Sequence, residues 1–213
     1  MEGLDLLKRD WKRLGDTCPK LSYQDIYELI HKKSSSIVKW LFVICLGEFA
    51  FWGLLTIFIP ESYLEIYQVL NLKTLAIVAQ IVHYLVLAGF LLLFYKNYQS
   101  ISVTDNTGLL MKNILRTRKT VHYYIVYNIG MYILFTVVIN IIMFLNPEML
   151  YDMVPEAAEF PINESLFFTI MLISQLLALI IVSGLLYLFY RLIYGILLKR
   201  LKANYKELQK LTL

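Results

Sequence analysis

Apolar positions in this chain come in long unbroken runs separated by short polar stretches. A bilayer core of about 30 Å is crossed by roughly 20 apolar residues in a helix. Four runs meet that length, at about residues 40–59, 74–94, 121–145 and 166–190. Pro60 stops the first, Asn146-Pro147 ends the third, and the fourth stays apolar past Tyr190 towards Leu198. Backbone groups in lipid must be satisfied within their own segment, so each run is predicted to be a helix. Alternating strands of the barrel type are absent. The pattern predicts an all-α membrane protein, a four-transmembrane-helix up-down-up-down bundle.

The polar stretches carry a helical pattern of their own. Leu4, Leu7, Trp11 and Leu14 form one stripe, with Lys8, Arg9, Lys12 and Arg13 beside it and Gly15 as a stop. Ser22 is placed to cap a second helix, with Asp25 at its third helical position, Leu21 and Ile26 as a hydrophobic staple, and Tyr23, Ile26, Tyr27 and Ile30 as an apolar face. Asp105 or Thr107 is expected to start a further helix through Leu115. The last residues continue the fourth run through Leu201, Tyr205 and Leu208. The chain therefore divides into N-terminal amphipathic helices (1–36), the membrane bundle (37–198) and a tail helix (199–213).

Composition agrees. The 213 residues are 59% hydrophobic and 17% charged, against roughly 45–50% and about 25% in soluble domains. Mean hydropathy is +0.62. Soluble, disordered and disulfide-rich classes are excluded, and the two cysteines, Cys18 and Cys45, support no framework. The first 36 residues lack the apolar core of a secretory signal.

Charge sets the expected orientation. Eight Lys and Arg lie up to Lys39, five between Lys96 and Thr120, and six from Arg191 onward, whereas the remaining loops carry Lys73 alone. The loop after Asn146 holds Glu148, Asp152, Glu156, Glu159 and Glu164 and no base. Positive charge is retained in the cytoplasm, so both termini are expected there, in a bacterial inner membrane. Tyr95, Tyr98, Tyr123, Tyr124, Tyr127, Tyr187, Tyr190 and Tyr194 are expected to form an interfacial belt with Trp40 at that boundary. Asn163 fits both a glycosylation sequon and a helix start, and the helix start is preferred.

Polar residues inside the apolar runs are candidate sites because they are expensive there. Glu48 lies near the middle of the first run, His83 and Gln80 share a face of the second, and Gln175 falls within the fourth. Asn128 and Asn140 lie in the third. Two readings follow: a proton or solute pathway through Glu48 and His83, or polar contacts in which a protonated Glu48 bonds His83 or Gln175 and fixes the packing. The second is preferred, since such contacts are common and broken helices of the transporter type are missing. Catalytic signatures are absent, and His31, His83 and His122 are too few for a multi-histidine redox metal. No catalytic residue, metal or cofactor is expected, and a membrane enzyme has no residues to name.

Two stretches carry a family resemblance. One is Leu4-Asp5-Leu6-Leu7-Lys8-Arg9-Asp10-Trp11-Lys12 with Pro19-Lys20-Leu21-Ser22-Tyr23-Gln24-Asp25-Ile26-Tyr27, running on into His31-Lys32-Lys33 and Trp40. The other is Phe94-Tyr95-Lys96-Asn97-Tyr98 with Ile114-Leu115-Arg116-Thr117-Arg118-Lys119-Thr120-Val121. Together they resemble an uncharacterised family of small four-span bacterial membrane proteins whose members are often labelled beta-carotene monooxygenase. Carotenoid cleavage enzymes hold iron through more histidines than the three here, so that activity is not carried over. The resemblance further implies a neighbourhood of sigma factors and an anti-sigma-like role, to be met without the zinc motif of many anti-sigma domains.

The expected function is a non-enzymatic interaction or regulatory module. Leu7, Trp11, Tyr23 and Tyr27 would anchor a cytoplasmic regulatory protein, with Arg9, Lys12 and Arg13 steering it. Anionic headgroups on the cytoplasmic side are the other expected partner, nucleic acid is not expected because acids interleave with the bases, and self-association fits the pattern. The alternative is a small-solute or proton-linked transporter using Glu48 and His83.

Overall fold

The computed structural model describes residue 8 and residues 22–59, 67–68, 72–104, 106–146 and 163–211. Among the described residues, four long helices make up the fold: α1 (Tyr23–Ile57), α2 (Lys73–Ser102), α3 (Thr107–Leu145) and α4 (Glu164–Leu211). All four are long and apolar enough to cross a membrane. Each packs on the next, α4 returns against α1, and the α1–α3 diagonal touches only slightly. The result is a closed antiparallel bundle.

The helices are longer than their apolar stretches require. At 35, 30, 39 and 48 residues, and about 1.5 Å per residue, they reach roughly 45–70 Å against about 30 Å of hydrocarbon. The excess lies at the end rich in Lys and Arg, here called the basic end. The compositional boundary at residue 36 leaves no break, since α1 runs unbroken from Tyr23 into the first apolar run. The helix expected before the third run is likewise the first part of α3.

Local chemistry explains where these helices start. Ser22 and Asp25 form a full capping box: Asp25 N–H donates to Ser22 Oγ at 3.1 Å, and Ser22 N–H donates to Asp25 Oδ2 at 2.8 Å. Two orphan donors are thereby satisfied. Leu21, the expected staple partner, lies outside the described residues. The cap of α3 is Asn106 rather than either expected neighbour: its Oδ1 accepts from Gly108 N–H at 2.8 Å and Leu109 N–H at 3.2 Å. Thr107 is the first helical residue, and Asp105 lies outside the described residues. Asn163 stands just before α4, its Oδ1 accepting from Ser165 N–H at 3.3 Å.

Among the described residues, burial is confined to the basic half. On α1 it follows Tyr27, Ile30, Ser34, Val38, Leu41, Cys45 and Glu48, then ceases. On α3 it spans Leu110 to Tyr124, and on α4 it begins at Tyr190. Beyond this core the helices present bare apolar surface, with Ile57 75% and Leu145 72% exposed. In water such surface would collapse, but lipid tails are as apolar as the side chains and exert no such drive. A cleft of about 360 Å³ between the far halves of α3 and α4, lined in part by Asn140, Phe144, Gln175 and Leu179, belongs to this open region.

Polar cross-links hold the basic half together. Tyr27 donates to the Thr104 carbonyl at 2.9 Å and His31 Nε2 to the Ile101 carbonyl at 2.7 Å, joining α1 to the end of α2. Asn97 on α2 donates to Thr120 on α3 at 3.1 Å, and Asn204 on α4 donates to Ser34 on α1 at 2.9 Å, both buried. Asn113 reaches back from α3 to the Ser100 carbonyl and Thr104. Such bonds exchange protein for water at modest net gain, but leaving either partner unpaired is costly. They therefore fix the register of all four helices.

Candidate functional site

Among the described residues, Glu48 is the buried acid of the bundle. Its place follows from α1: Ser34, Val38, Leu41, Cys45 and Glu48 recur at three- and four-residue intervals, so the carboxyl group lies on the same inward stripe as the core. Tyr124 on α3 donates to Glu48 Oε2 at 2.6 Å across the interior. This is a short hydrogen bond between a hydroxyl and a carboxyl group.

Around that bond the interior is aromatic. The Tyr124 ring meets Phe90 at 5.5 Å, Phe94 at 5.7 Å, Tyr194 at 5.8 Å and Tyr190 at 6.2 Å, two of these contacts close to perpendicular on α2 and one on α4. Edge-to-face packing directs positive ring edges at negative faces and adds to area burial. Tyr194 also approaches the acid, yet Glu48 Oε1 and the Tyr194 hydroxyl are both enclosed without a hydrogen bond of normal geometry. Cys45, one turn before Glu48, is buried as a free thiol.

The four intramembrane polar residues singled out in the sequence do not come together. His83 Nδ1 lies 3.1 Å from the Tyr127 hydroxyl, and the two rings stack at 5.5 Å. Phe90 packs against both Tyr124 and Tyr127, so an apolar ring stands between the Glu48 pair and the His83 pair. Gln80 is exposed on α2. Gln175 faces the far cleft, where its nearest polar contact is Met143 Sδ at 3.9 Å. Asn128 and Asn140 donate to carbonyls one turn back on α3, each at 2.8 Å. Among the described residues, no three His, Cys, Asp or Glu side chains converge as a metal set.

The proposed docking residues are placed only in part. Leu7, Arg9, Trp11, Lys12 and Arg13 lie outside the described residues. Tyr23 is 50% exposed, with its hydroxyl 3.0 Å from Thr107 Oγ1. Tyr27 is 7% exposed and bonded to Thr104, so its ring belongs to the core rather than to a free surface.

Sequence reasoning missed the tyrosines. The sequence pattern places Tyr124, Tyr190 and Tyr194 in the interfacial belt, whereas they line the interior; Tyr95, Tyr123 and Tyr187, each about half exposed, do face outward. The available signal was spacing: Tyr190, Tyr194, Leu201, Asn204 and Leu208 continue one helical stripe along α4.

A family model described as a domain of unknown function (DUF8845) matches residues 24–213. No curated protein and no solved structure matches the chain.

Proposed function

The chain belongs to the family DUF8845, and on that premise we propose that it is a non-enzymatic, membrane-anchored interaction module. It holds a helical stalk at the cytoplasmic face of a bacterial inner membrane for a cytoplasmic regulatory protein. The observation that carries this reading is the distribution of packing. The basic half of the bundle is buried and cross-linked by Asn97–Thr120 and Ser34–Asn204, while the far half presents open apolar surface. A rigid platform outside the apolar runs is what a docking protein needs, and more than an anchor requires.

The stalk surface is basic. Lys32, Lys33, Lys112, Arg116, Lys206 and Lys210 are exposed on it, against Asp25, Glu28 and Glu207. Lys112 and Lys206 lie two or more helical turns outside the apolar runs. At about 1.5 Å per residue they stand about 12–14 Å outside the hydrocarbon, towards the outer edge of the headgroup layer, where screening over roughly 8 Å weakens their pull on lipid. Their placement suits an acidic protein surface, an anti-sigma-like arrangement being one form of it. Residues 1–33 would add Leu7, Trp11 and Tyr23 as anchors and Arg9, Lys12 and Arg13 as steering charges.

Against proton-linked transport through Glu48 and His83 stands the packing of Phe90 between their two tyrosine partners. The test is site-specific photocrosslinking in living cells, with the probe at Lys112, Lys206 or the membrane-embedded Leu134. One acidic protein crosslinked from the first two positions, not from Leu134, and lost with Lys112→Glu plus Lys206→Glu supports the reading. Crosslinks to lipid alone at all three positions overturn it.

A further inference from the structure

The stalk part of α3, from Thr107 to Thr120, is apolar on two faces. Its inward face packs the core, where Leu110, Ile114 and Thr117 are fully buried. Its outward face carries Leu109 and Leu115, 54% and 44% exposed, together with the exposed bases Lys112 and Arg116. At 3.6 residues per turn these four positions fall within an arc of roughly 120°. No Asp or Glu occurs between Thr107 and Thr120. A helix with apolar residues on both sides is ordinarily covered on both.

Depth excludes hydrocarbon as the cover. The apolar run of α3 begins at Val121, which puts Leu109 about 18 Å and Leu115 about 9 Å outside the hydrocarbon. Because α3 runs straight on into that apolar run, this face cannot lie flat in the interface as a peripheral amphipathic helix does. A phosphate surface, of lipid or nucleic acid, would engage the bases and leave both leucines uncovered. The other stalk faces lack this combination among the described residues. On α1, Asp25 and Glu28 are exposed alongside Lys32 and Lys33. Past Ile196, α4 exposes bases but no large apolar side chain.

Resting on the docking reading above, we infer that the outward face of α3 at Leu109, Lys112, Leu115 and Arg116 binds an acidic amphipathic helix of the partner protein. Such helices dock through apolar anchors at i, i+3, i+4 and i+7, and the two leucines, about 9 Å apart along α3, span a matching two turns. Acids beside those anchors meet Lys112 and Arg116, and this charge match sets the register and rejects basic helices. The face is rigid before binding. Asn106 caps α3 at Gly108 and Leu109, and Asn113 ties it to the end of α2, so little ordering opposes association.

The test is photocrosslinking of the full chain in living cells, with the probe at Leu109, Lys112 or Leu115 and the labelled residues located by mass spectrometry. The expected result is that the Leu109 and Leu115 probes label one protein at sites within about seven residues of each other, in a segment richer in Asp and Glu than in Lys and Arg. Leu109→Ala with Leu115→Ala, at exposed positions, should lower the Lys112 adduct about tenfold or more, whereas Leu109→Met with Leu115→Met should retain it. Protein adducts from Lys112 with none from Leu109 or Leu115 overturn this inference and leave the docking reading standing. Lipid adducts alone at all three positions overturn both. Sites scattered over separate segments, or lying in a basic one, overturn the acidic helix. An unchanged Lys112 adduct in the double alanine variant overturns the leucines as anchors.

Discussion

Tyr124→Phe separates a structural acid from a working one. The substitution keeps the ring and its four aromatic neighbours but deletes the hydroxyl that donates to Glu48 Oε2 at 2.6 Å. Because Glu48 Oε1 already lacks a partner, the variant leaves the whole carboxyl group unsatisfied in an aromatic interior. A typical hydrogen bond is worth about 0.5–1.5 kcal/mol, and a buried partner left unsatisfied costs about 1–3 kcal/mol, whereas polar contacts between membrane helices average about 0.6 and reach about 1.7 kcal/mol. The acid is enclosed on every side, so a loss of about 1.5–2 kcal/mol is expected, equivalent to roughly 3–8 °C in melting temperature for a chain of this size. Glu48→Leu alone strands the Tyr124 hydroxyl and should cost about 1–3 kcal/mol. The double variant removes both polar partners and should recover much of either loss. A double-mutant cycle by steric trapping in bicelles measures the coupling. Coupling below about 0.3 kcal/mol, or additive losses in the double variant, would refute the pairing.

Other outcomes follow from the same structure. Asn204→Ala strands the Ser34 hydroxyl in the buried α1–α4 contact and should destabilise by about 1–3 kcal/mol, whereas Asn204→Ala with Ser34→Ala should cost less; chemical denaturation in detergent reads both. Tyr27→Phe should cost about 1 kcal/mol through the lost bond to Thr104, and Tyr23→Phe near nothing, since Tyr23 is half exposed; equal losses would contradict the placement of Tyr27 in the core. Asp25 lies well before the apolar run, and its hydrogen bonds from Ser22 hold its pKa below the ordinary 3.8. A folded-state pKa below the unfolded value adds stability above the unfolded value and loses it as pH falls through the folded one. The protection factor for hydrogen exchange over the first turn of α1, taken against the intrinsic rate at each pH, should therefore fall as pH drops below about 3.8, and Ser22→Ala should remove that dependence.

Segment-level features were legible in the sequence because each rests on local physics. A run of apolar residues, a proline at its end, and a serine three residues before an aspartate act within one segment, so the four helices, their antiparallel order and the Ser22 cap could be read directly. Asn106 was missed beside Asp105 and Thr107 because all three are competent caps and only backbone geometry selects among them.

The interior was a different matter. Depth along a helix told that Glu48 was buried in apolar surroundings but not which side chain would face it, and His83 and Gln175 were as plausible by depth as any tyrosine. The partner is set by how far each helix is rotated and offset against its neighbours, which the Ser34–Asn204 and Asn97–Thr120 bonds fix from sites remote in sequence. The same rotation turned Tyr124, Tyr190 and Tyr194 inward while Tyr123 and Tyr187 stayed outside. The sequence by itself determined the four helices and the side on which the bases gather, because hydropathy and charge act along the chain. Only the tertiary structure decided that Glu48 meets Tyr124 and His83 meets Tyr127, because pairing across a bundle depends on helix rotation, which no single segment encodes.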